Sequence, residues 1–375
     1  MILVEKVLFI TNDIYINPLK REGGVRNCTF EFIGLLAKKF EVLLLPVEYK
    51  ISFLYRCRVK LGLNHYNDYQ PNNYKLQIRE LIEKNNIKLV FLNLSNTIRF
   101  SSLFKEIGGE DIKVILCSHG NESGDYLHEV VRFREKSTKI KTLFSSYTLG
   151  RMLKTESSYR IKCIDMVLSI SPTEEQIERW LGAKKTFMVP RTLQKEFLNL
   201  HPVLNRVGFI GDMSHTPNYT GVIALCDALS AKEHTIEIKL VGGPESIGQE
   251  IAKKYSFVKY CGFLQEKELV EEVATWGYFL NLVFYYSRGV STKLAKALSW
   301  GLPVISTEAG NRGYSWEEGK LMLAKNPDDM ARIIIENSGD KEKIKADQQE
   351  VKIIVETSPS LEKIMTQLYP QLQAL

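Results

Sequence analysis

Residues 286–313 combine a glycine, a helix that can be capped and two lysines, a pattern suited to holding an anion. Either Ser291 or Thr292 can cap the helix at its start. Gly301 suits the left-handed position just beyond the end of the helix. The N–H groups of a first helical turn point at an anion bound there, and Lys293 is close enough to that turn to reach a diphosphate. The segment therefore predicts a phosphate site at a helix N-terminus.

Lys293 and Lys296 lie three residues apart and so share one face of that helix. Two cations near the positive end of a helix dipole are unfavourable unless an anion binds there. A solvated helix face is the alternative interpretation of these lysines. Before the helix, Gly289 allows the chain to pass close to a ligand. The neighbouring Arg288 and Val290 extend this candidate binding segment.

Three other loops follow predicted strands, where ligands bind in open α/β sheets. Gly23 and Gly24 open the first helix, and paired glycines there let the backbone approach an anion. A helix-start loop without a ligand is the alternative. His119 follows the strand ending at Cys117 and is either a site residue or a half-buried histidine held by a backbone carbonyl. Gly211 follows another strand and by itself indicates only a loop that can face a ligand.

Short apolar runs that do not alternate recur along the chain, as in strands buried on both faces of a parallel sheet. They alternate with helical patterns, which indicates a doubly wound α/β fold. The runs predicted as strands are Val7–Ile10, Val42–Leu45, Leu89–Leu92, Val114–Cys117, Met166–Ile170, Val207–Ile210, Ile236–Val241, Phe257–Tyr260, Tyr278–Leu282 and Val304–Ser306.

A domain boundary is expected in the middle of the chain. The length of 375 residues suits two domains. Pro190 and Pro202 bracket a segment that is neither a buried strand nor a clean helix. We therefore predict one Rossmann-like domain over residues 1–195 and a second over 196–355. Residues 356–375 have helical character, are too few to form a domain, and must pack on something.

The composition is that of a globular protein with a mild positive charge. The 50 basic and 44 acidic residues leave a formal net charge of +6, which suits an anionic donor or a membrane surface without requiring either. The six cysteines are scattered and include no CxxC pair, which indicates a reducing compartment and no zinc site. No apolar run approaches the roughly 20 residues that a spanning helix needs. We expect a cytoplasmic protein, either soluble or peripheral at the inner face of the membrane.

The 286–313 segment resembles one branch of the retaining GT-B glycosyltransferases of family 4, also called group 1. That branch carries a glycine, a threonine followed by Arg or Lys, a helix, and a Gly-x-Pro-Val-Val-Ser-Thr run before a glycine-containing turn. The rest of the chain is similar in a less specific way. The matching positions are Gly289, Thr292, Lys293, Ala297, Leu298, Gly301, Pro303, Val304, Ser306, Thr307, Gly310 and Gly313.

The resemblance implies a GT-B fold, in which two Rossmann-like doubly wound domains flank a cleft. It also implies transfer of a sugar, with retention, from a nucleoside diphosphate sugar to an acceptor. Such enzymes usually need no metal ion for the chemistry, and the lack of an Asp-x-Asp in this sequence agrees. The helix in residues 356–375 would return to the N-terminal domain, as in that fold.

The same resemblance implies roles for the candidate site residues. His119 and Lys293 would be the catalytic residues, with His119 contacting the transferred sugar and Lys293 binding the diphosphate. Gly23 and Gly24 would lie near the donor phosphates. The backbone of residues 289–292 would help to bind them.

The sequence departs from the family at two positions. Members carry two glutamates eight residues apart, the first contacting the sugar hydroxyls and the second the ribose hydroxyls. Here these positions are Arg288 and Lys296, which only donate hydrogen bonds. Three interpretations follow: a donor without a ribose 2′-hydroxyl, such as a dTDP-sugar; substitution by Glu308 or another carboxylate; or loss of catalysis. The donor is therefore left as a UDP-, GDP- or dTDP-sugar.

The acceptor is a glycan, a lipid-linked or a protein-linked molecule, and the sequence does not decide between them. Residues 50–60 interleave aromatic with basic residues, and Arg132–Lys162 is rich in Lys and Arg. Such segments either rest on anionic lipid or form domain helices with a solvated basic face, which is the favoured interpretation. No nucleic-acid-binding module is recognised. Two other functions stay open: a non-catalytic GT-B subunit that binds a partner transferase or a glycan, and a sugar-nucleotide epimerase of the same fold.

Overall fold

The structure is a computed structural model that describes residues 4–19, 23–61, 66, 69–127, 139–285 and 289–375. The chain divides into two compact units. Unit 1 contains residues 1–190 together with 360–375, and unit 2 contains residues 191–359. The sequence predicted these divisions at 195/196 and 355/356.

The described part of unit 1 contains a six-stranded parallel sheet with the strand order β2-β1-β3-β4-β5-β6. Its strands are β1 (Lys6–Asn12), β2 (Glu41–Val47), β3 (Leu89–Asn93), β4 (Lys113–Cys117), β5 (Met166–Ser169) and β6 (Thr186–Met188). Its helices up to residue 190 are α1 (Gly24–Leu36), α2 (Phe53–Lys60), α3 (Lys75–Asn85), α4 (Ser101–Gly108), α5 (Glu122–Tyr126), α6 (Lys139–Cys163) and α7 (Pro172–Trp180). Short 3₁₀ helices cover Asp13–Tyr15, Pro71–Tyr74 and Ser95–Phe100.

The described part of unit 2 contains a second six-stranded parallel sheet with the order β12-β11-β10-β7-β8-β9. Its strands are β7 (Arg206–Ile210), β8 (Glu237–Val241), β9 (Val258–Gly262), β10 (Tyr278–Leu280), β11 (Val304–Thr307) and β12 (Met322–Ala324). Its helices are α8 (Thr216–Ser230), α9 (Glu245–Lys254), α10 (Glu266–Val273), α11 (Thr292–Ser299), α12 (Glu308–Asn311), α13 (Pro327–Asn337) and α14 (Lys341–Thr357).

The last helix, α15 (Leu361–Gln373), belongs to unit 1 and packs on α1. It buries four apolar side chains, Ile364, Met365, Leu368 and Leu372. At its first turn, Lys38 forms an ion pair with Glu362.

The predicted doubly wound α/β class is confirmed. The runs predicted as strands all overlap observed strands, because central strands buried on both faces read as continuous apolar runs. Leu89–Asn93, for example, is buried at every position. The three-residue edge strands β6 and β12 were missed, since half-exposed strands lack that signal. Among the described residues, no helix is long and apolar enough to cross a membrane.

Candidate functional site

Each sheet has one point where the winding direction reverses, and in such sheets ligands bind there, beyond the carboxyl ends of the strands. In unit 1 the reversal lies between β1 and β3, and in unit 2 it lies between β7 and β10. The predicted site residues of each unit cluster at these two places, as the following contacts describe.

In unit 1 a buried asparagine, Asn93, joins the two strands at the reversal. Its side-chain amide donates to the hydroxyl of Thr11 on β1 over 2.8 Å and to that of Thr29 on α1 over 2.9 Å. Its Oδ1 lies 2.9 Å from Nε2 of His119, which follows β4. None of the Asn93 side chain is exposed, so these hydrogen bonds satisfy it within the protein.

This chain of hydrogen bonds fixes the proton on His119. The Thr29 hydroxyl donates to the carbonyl of Val25 over 2.9 Å, so it must accept from the Asn93 amide rather than donate to it. The amide orientation is thereby set, and Oδ1 of Asn93 faces the imidazole. Because a carbonyl oxygen only accepts, Nε2 of His119 carries the hydrogen. The partner of Nε2 is thus a side-chain amide of the neighbouring strand β3.

Two buried carboxylates hold the ends of the loop that carries His119. Ser118 donates to Glu178 over 2.6 Å, and Ser123 donates to Glu156 from its backbone N–H over 3.1 Å. Arg160 on α6 forms a bidentate ion pair with Glu178 on α7 and donates to the backbone carbonyl of Glu156 on its own helix. The loop is therefore tied to both α6 and α7.

The protonation of this buried group follows from its surroundings. Burial would lower the pKa of Arg160, but the Glu178 carboxylate outweighs burial and raises it. Burial raises the pKa of Glu156, an effect that the nearby Arg160 partly offsets. The guanidinium of Arg160 therefore stays charged and can hold Glu178, and through it the loop, in place.

Gly23 and Gly24 lie at the start of α1, directly after the reversal strand β1. The backbone of Gly23 is extended, with φ −179°, and a Cβ there would meet no atom, so packing does not require this glycine. The same helix carries Thr29 and also Phe32, whose ring centre lies 5.5 Å from that of His119. Helix α1 therefore links the two glycines to the histidine, while their contact with phosphates stays a prediction.

In unit 2 the ammonium group of Lys293 crosses the reversal from α11 to β7 and α8. Its Nζ lies 2.5 Å from Oδ1 of Asn218 and 4.9 Å from the ring centre of Phe209. Asn218 in turn donates to the backbone carbonyl of Asp212 over 2.7 Å. Burial lowers the pKa of Lys293 to about 8, although the Asp212 carboxylate works in the opposite direction. Among the described residues Lys293 forms no ion pair within 4 Å, so its direct contacts, Asn218 and Phe209, are uncharged and the Asp212 carboxylate acts only from further away.

A second buried asparagine, Asn281, follows β10 and organises the start of α11. Its amide donates to the carbonyl of Gly310 over 3.0 Å and to the hydroxyl of Ser306 over 2.9 Å. Its Oδ1 accepts from the hydroxyl of Ser291 over 2.9 Å. Ser291 is the N-cap of α11, and its oxygen accepts from the N–H of Leu294. The helix start is therefore held in place before any ligand binds.

Glycines near this site meet specific steric needs. Gly289 has φ +76°, a left-handed conformation that favours glycine. A Cβ on Gly211 would lie 2.8 Å from the Phe209 ring and 3.1 Å from Nδ2 of Asn218. Gly211 therefore lets the two Lys293 neighbours approach each other. Gly301, at φ +74°, ends α11 in the predicted left-handed position.

The two lysines of α11 point to different partners. Lys296 forms an ion pair with Glu196 over 2.6 Å and lies 5.2 Å from the ring centre of Trp300. Lys293 instead contacts Asn218 and Phe209. Val290 and Thr292 are half-buried beside the site. Arg288 lies outside the described residues.

The sequence did not single out Asn93, Asn281, Asn218 or Glu196. A signal existed for the first two, because Asn93 directly follows the predicted strand Leu89–Leu92 and Asn281 is the polar residue near the end of the predicted strand Tyr278–Leu282. Asn218 and Glu196 reach the site only through tertiary contacts, which no local pattern encodes. Among the residues described, no group of three or more His, Cys, Asp or Glu side chains lies close enough to hold a metal ion.

The chain has two doubly wound parallel-sheet units, each with polar groups at its reversal point. This is the GT-B fold of glycosyltransferases. Residues 205–340, which lie in unit 2, match the family described as "Glycosyl transferases group 1". The resemblance to this group, expected from the 286–313 segment, is thereby confirmed. No curated protein sequence matches the chain.

Several solved structures share the fold over almost the entire chain. Sucrose-phosphate synthase from Thermosynechococcus elongatus has a TM-score of 0.66, with 16% identity and 99% of both chains covered. HepE from Anabaena, solved in complex with UDP and glucose, has a TM-score of 0.61 and 14% identity over 99% of this chain and 100% of its own. The lipopolysaccharide outer core galactosyltransferase WaaB has a TM-score of 0.59 and 13% identity over 99% of this chain and 100% of its own. At these identities the likeness establishes the fold alone.

Proposed function

We propose that this protein is a glycosyltransferase that uses a nucleoside diphosphate sugar and transfers the sugar, with retention and without a metal ion in the chemistry, to a hydroxyl of an acceptor. The group 1 match of unit 2 and the GT-B fold support the enzyme class. The HepE neighbour, solved with UDP-glucose, supports a nucleotide sugar as the donor.

The observation that carries the proposal is the state of Lys293. Burial of the ammonium lowers its pKa to about 8, and the nearby Asp212 carboxylate offsets this only in part. Its direct hydrogen-bond partner, Asn218, is uncharged. A diphosphate would supply the missing negative charge, with the first-turn N–H groups of α11 as further donors. The preformed cap at Ser291 keeps these donors aimed at one place.

The chain's own groups would then act as follows. As the bond between the sugar and the diphosphate breaks, negative charge develops on the diphosphate, and Lys293 with the start of α11 would stabilise it. His119 would contact the transferred sugar, its ring held by Asn93 and Phe32. Gly23 and Gly24 at the start of α1 would approach the donor phosphates.

The pair of Lys296 and Glu196 suggests how the donor ribose is bound without the expected glutamate. Lys296 occupies that glutamate's position, and Glu196 from another segment lies 2.6 Å from its ammonium. A carboxylate is therefore present beside this helix position, and it can accept hydrogen bonds from ribose hydroxyls. We assign Glu196 this role. Glu308, the other candidate, begins α12 and is exposed.

The proposed acceptor is a hydroxyl group of a glycan, of a lipid-linked molecule or of a protein-linked molecule. The cytoplasm, where nucleotide sugars are made, is the proposed location. The second candidate function, a non-catalytic GT-B subunit, is favoured by the basic residues Arg288 and Lys296 at positions where the family has glutamates.

Calorimetry with UDP-, GDP- and dTDP-sugars tests donor binding, and release of the free nucleoside diphosphate tests turnover. We expect one nucleotide class to bind and to be slowly hydrolysed even without an acceptor. Binding without any release, across acceptors of all three classes, would favour the non-catalytic subunit. If no nucleotide sugar bound, the proposed function would be wrong.

A further inference from the structure

Helix α2 of unit 1 exposes large apolar side chains to solvent. Phe53 is 84% exposed and Leu54 is 59% exposed, and Leu61 at the end of the helix is also exposed. The helix is nevertheless well formed, since Ser52 caps it by accepting from the N–H of Tyr55 over 3.1 Å. A structured helix that presents its apolar side chains outward needs a partner to cover them.

The three most exposed apolar side chains of α2 and its end share one face, whereas Val59, which is 38% exposed, lies on the opposite side. At 100° per residue, Phe53, Leu54 and Leu61 fall within an arc of about 100° that also contains the half-buried Cys57. Arg56 lies on one side of this arc and Arg58 on the other, and both are exposed. An exposed apolar face bordered on both sides by arginines is the arrangement of a helix that lies in the plane of a membrane interface.

The charge around this face identifies the partner. Residues 50–61 contain the cations Lys50, Arg56, Arg58 and Lys60, and no acidic residue. A second copy of the same face would bring like charges together, whereas an anionic lipid surface would complement them. Ile51, just before the helix, adds another exposed apolar side chain.

The position of α2 in the fold fits such a surface. It follows the carboxyl end of β2, and because the sheet is parallel this is the same edge that carries the His119 loop after β4. We propose that α2 docks unit 1 on an anionic lipid bilayer, with Phe53, Leu54 and Leu61 inserted between headgroups and Arg56 and Arg58 bound to their phosphates. Docking through α2 does not depend on the proposed enzymatic activity.

The full chain would be tested by co-sedimentation with vesicles of phosphatidylcholine alone and of equal parts phosphatidylcholine and phosphatidylglycerol. We expect binding to the anionic vesicles only, weakened by salt. The double variant Phe53→Ser with Leu54→Ser should bind about tenfold more weakly or worse. Arg56→Gln with Arg58→Gln should also lose about tenfold.

A matched control is available elsewhere on the surface. Leu76 on α3 is 76% exposed and Phe263 in unit 2 is 74% exposed. Leu76 lies next to Lys75, which pairs with Glu106, so its surroundings carry both charges. The double variant Leu76→Ser with Phe263→Ser removes as much exposed apolar surface and should bind vesicles like the wild type.

Three results would overturn the proposal: no binding of the wild type to anionic vesicles, equal loss in the control variant, or unchanged binding of the Phe53 and Leu54 variant. Self-association of the wild type that the same variant abolishes, without vesicle binding, would assign the face to a second copy instead. Thermal unfolding followed by circular dichroism checks that each variant keeps the wild-type fold.

Discussion

The reversal points of the two sheets are built alike but end in different groups. Asn93 in unit 1 and Asn281 in unit 2 are both buried, both lie at the carboxyl end of a central strand, and both have an amide oriented by fixed partners. In unit 1 the amide oxygen accepts a hydrogen bond from the ring of His119. In unit 2 it holds a helix cap, beside a lysine whose pKa has fallen to about 8. Under the proposed function, unit 1 would orient a group of the substrate and unit 2 would receive the negative charge of the diphosphate.

Loss of the cation in unit 2 should have the largest effect. Lys293→Ala is expected to weaken nucleoside diphosphate binding and lower kcat/KM by roughly 100-fold, because the charge that stabilises the diphosphate is gone. Calorimetry with the diphosphate and steady-state kinetics measure the two effects. Lys341→Ala, which removes a lysine from the first turn of α14, is the matched control and should behave like the wild type. If Lys293→Ala bound the diphosphate as tightly as the wild type, Lys293 would not be the phosphate-binding cation and the proposed difference between the two units would be wrong.

Replacing each asparagine by alanine in turn distinguishes the orientation of His119 in unit 1 from the binding of the diphosphate in unit 2. Asn281→Ala should weaken diphosphate binding, since the cap of α11 loses its support, whereas Asn93→Ala should leave that binding intact and lower kcat by about tenfold. Each variant leaves buried partners unpaired and should lose about 1–3 kcal/mol of unfolding free energy. Denaturant unfolding gives the stability of each, and kinetics give the split. The same loss of diphosphate affinity in both variants would contradict the distinction.

The pH dependence sharpens the difference further. Because burial lowers the pKa of Lys293 to about 8, diphosphate affinity should fall several-fold from pH about 7 to about 9, where an ordinary lysine would stay charged. Lys293→Arg keeps its charge throughout and should show a flat profile. The ammonium of Lys293 binds its proton more tightly in the unfolded chain than in the folded one, because burial lowers its pKa. In the absence of the diphosphate, the contribution of Lys293 to the free energy of unfolding therefore rises with pH over this range. Titration of the diphosphate at several pH values checks the prediction, and identical slopes in both proteins would refute it.

The smallest expected effect concerns Glu196. Glu196→Ala should weaken binding of a ribonucleoside diphosphate by a few-fold and leave binding of its 2′-deoxy counterpart unchanged, if the carboxylate accepts from the ribose. Stability should change by less than about 1 kcal/mol, because the ion pair with Lys296 is exposed. Glu356→Ala, which breaks the exposed pair with Lys195, is a matched control. Equal losses for both nucleotides would assign Glu196 a purely electrostatic role.

The sequence predicted the fold because buried parallel strands and helix caps leave local patterns. Ser291 as a cap and Gly301 beyond the helix end were read correctly for that reason. It could not show that Lys293 and Lys296 diverge, because helical spacing places them on one face while their partners, Asn218 and Glu196, come from distant segments. Nor could it show the proton position on His119, which depends on four residues from three elements.

Helix α15 has a consequence for how the protein is made. Unit 2 is one continuous stretch of chain, whereas unit 1 is completed only by residues 360–375. During synthesis, residues 1–190 leave the ribosome long before the four apolar side chains of α15 can cover α1. The surface of α1 that α15 covers therefore stays open for most of the synthesis of the chain, and unit 1, although begun first, is completed last.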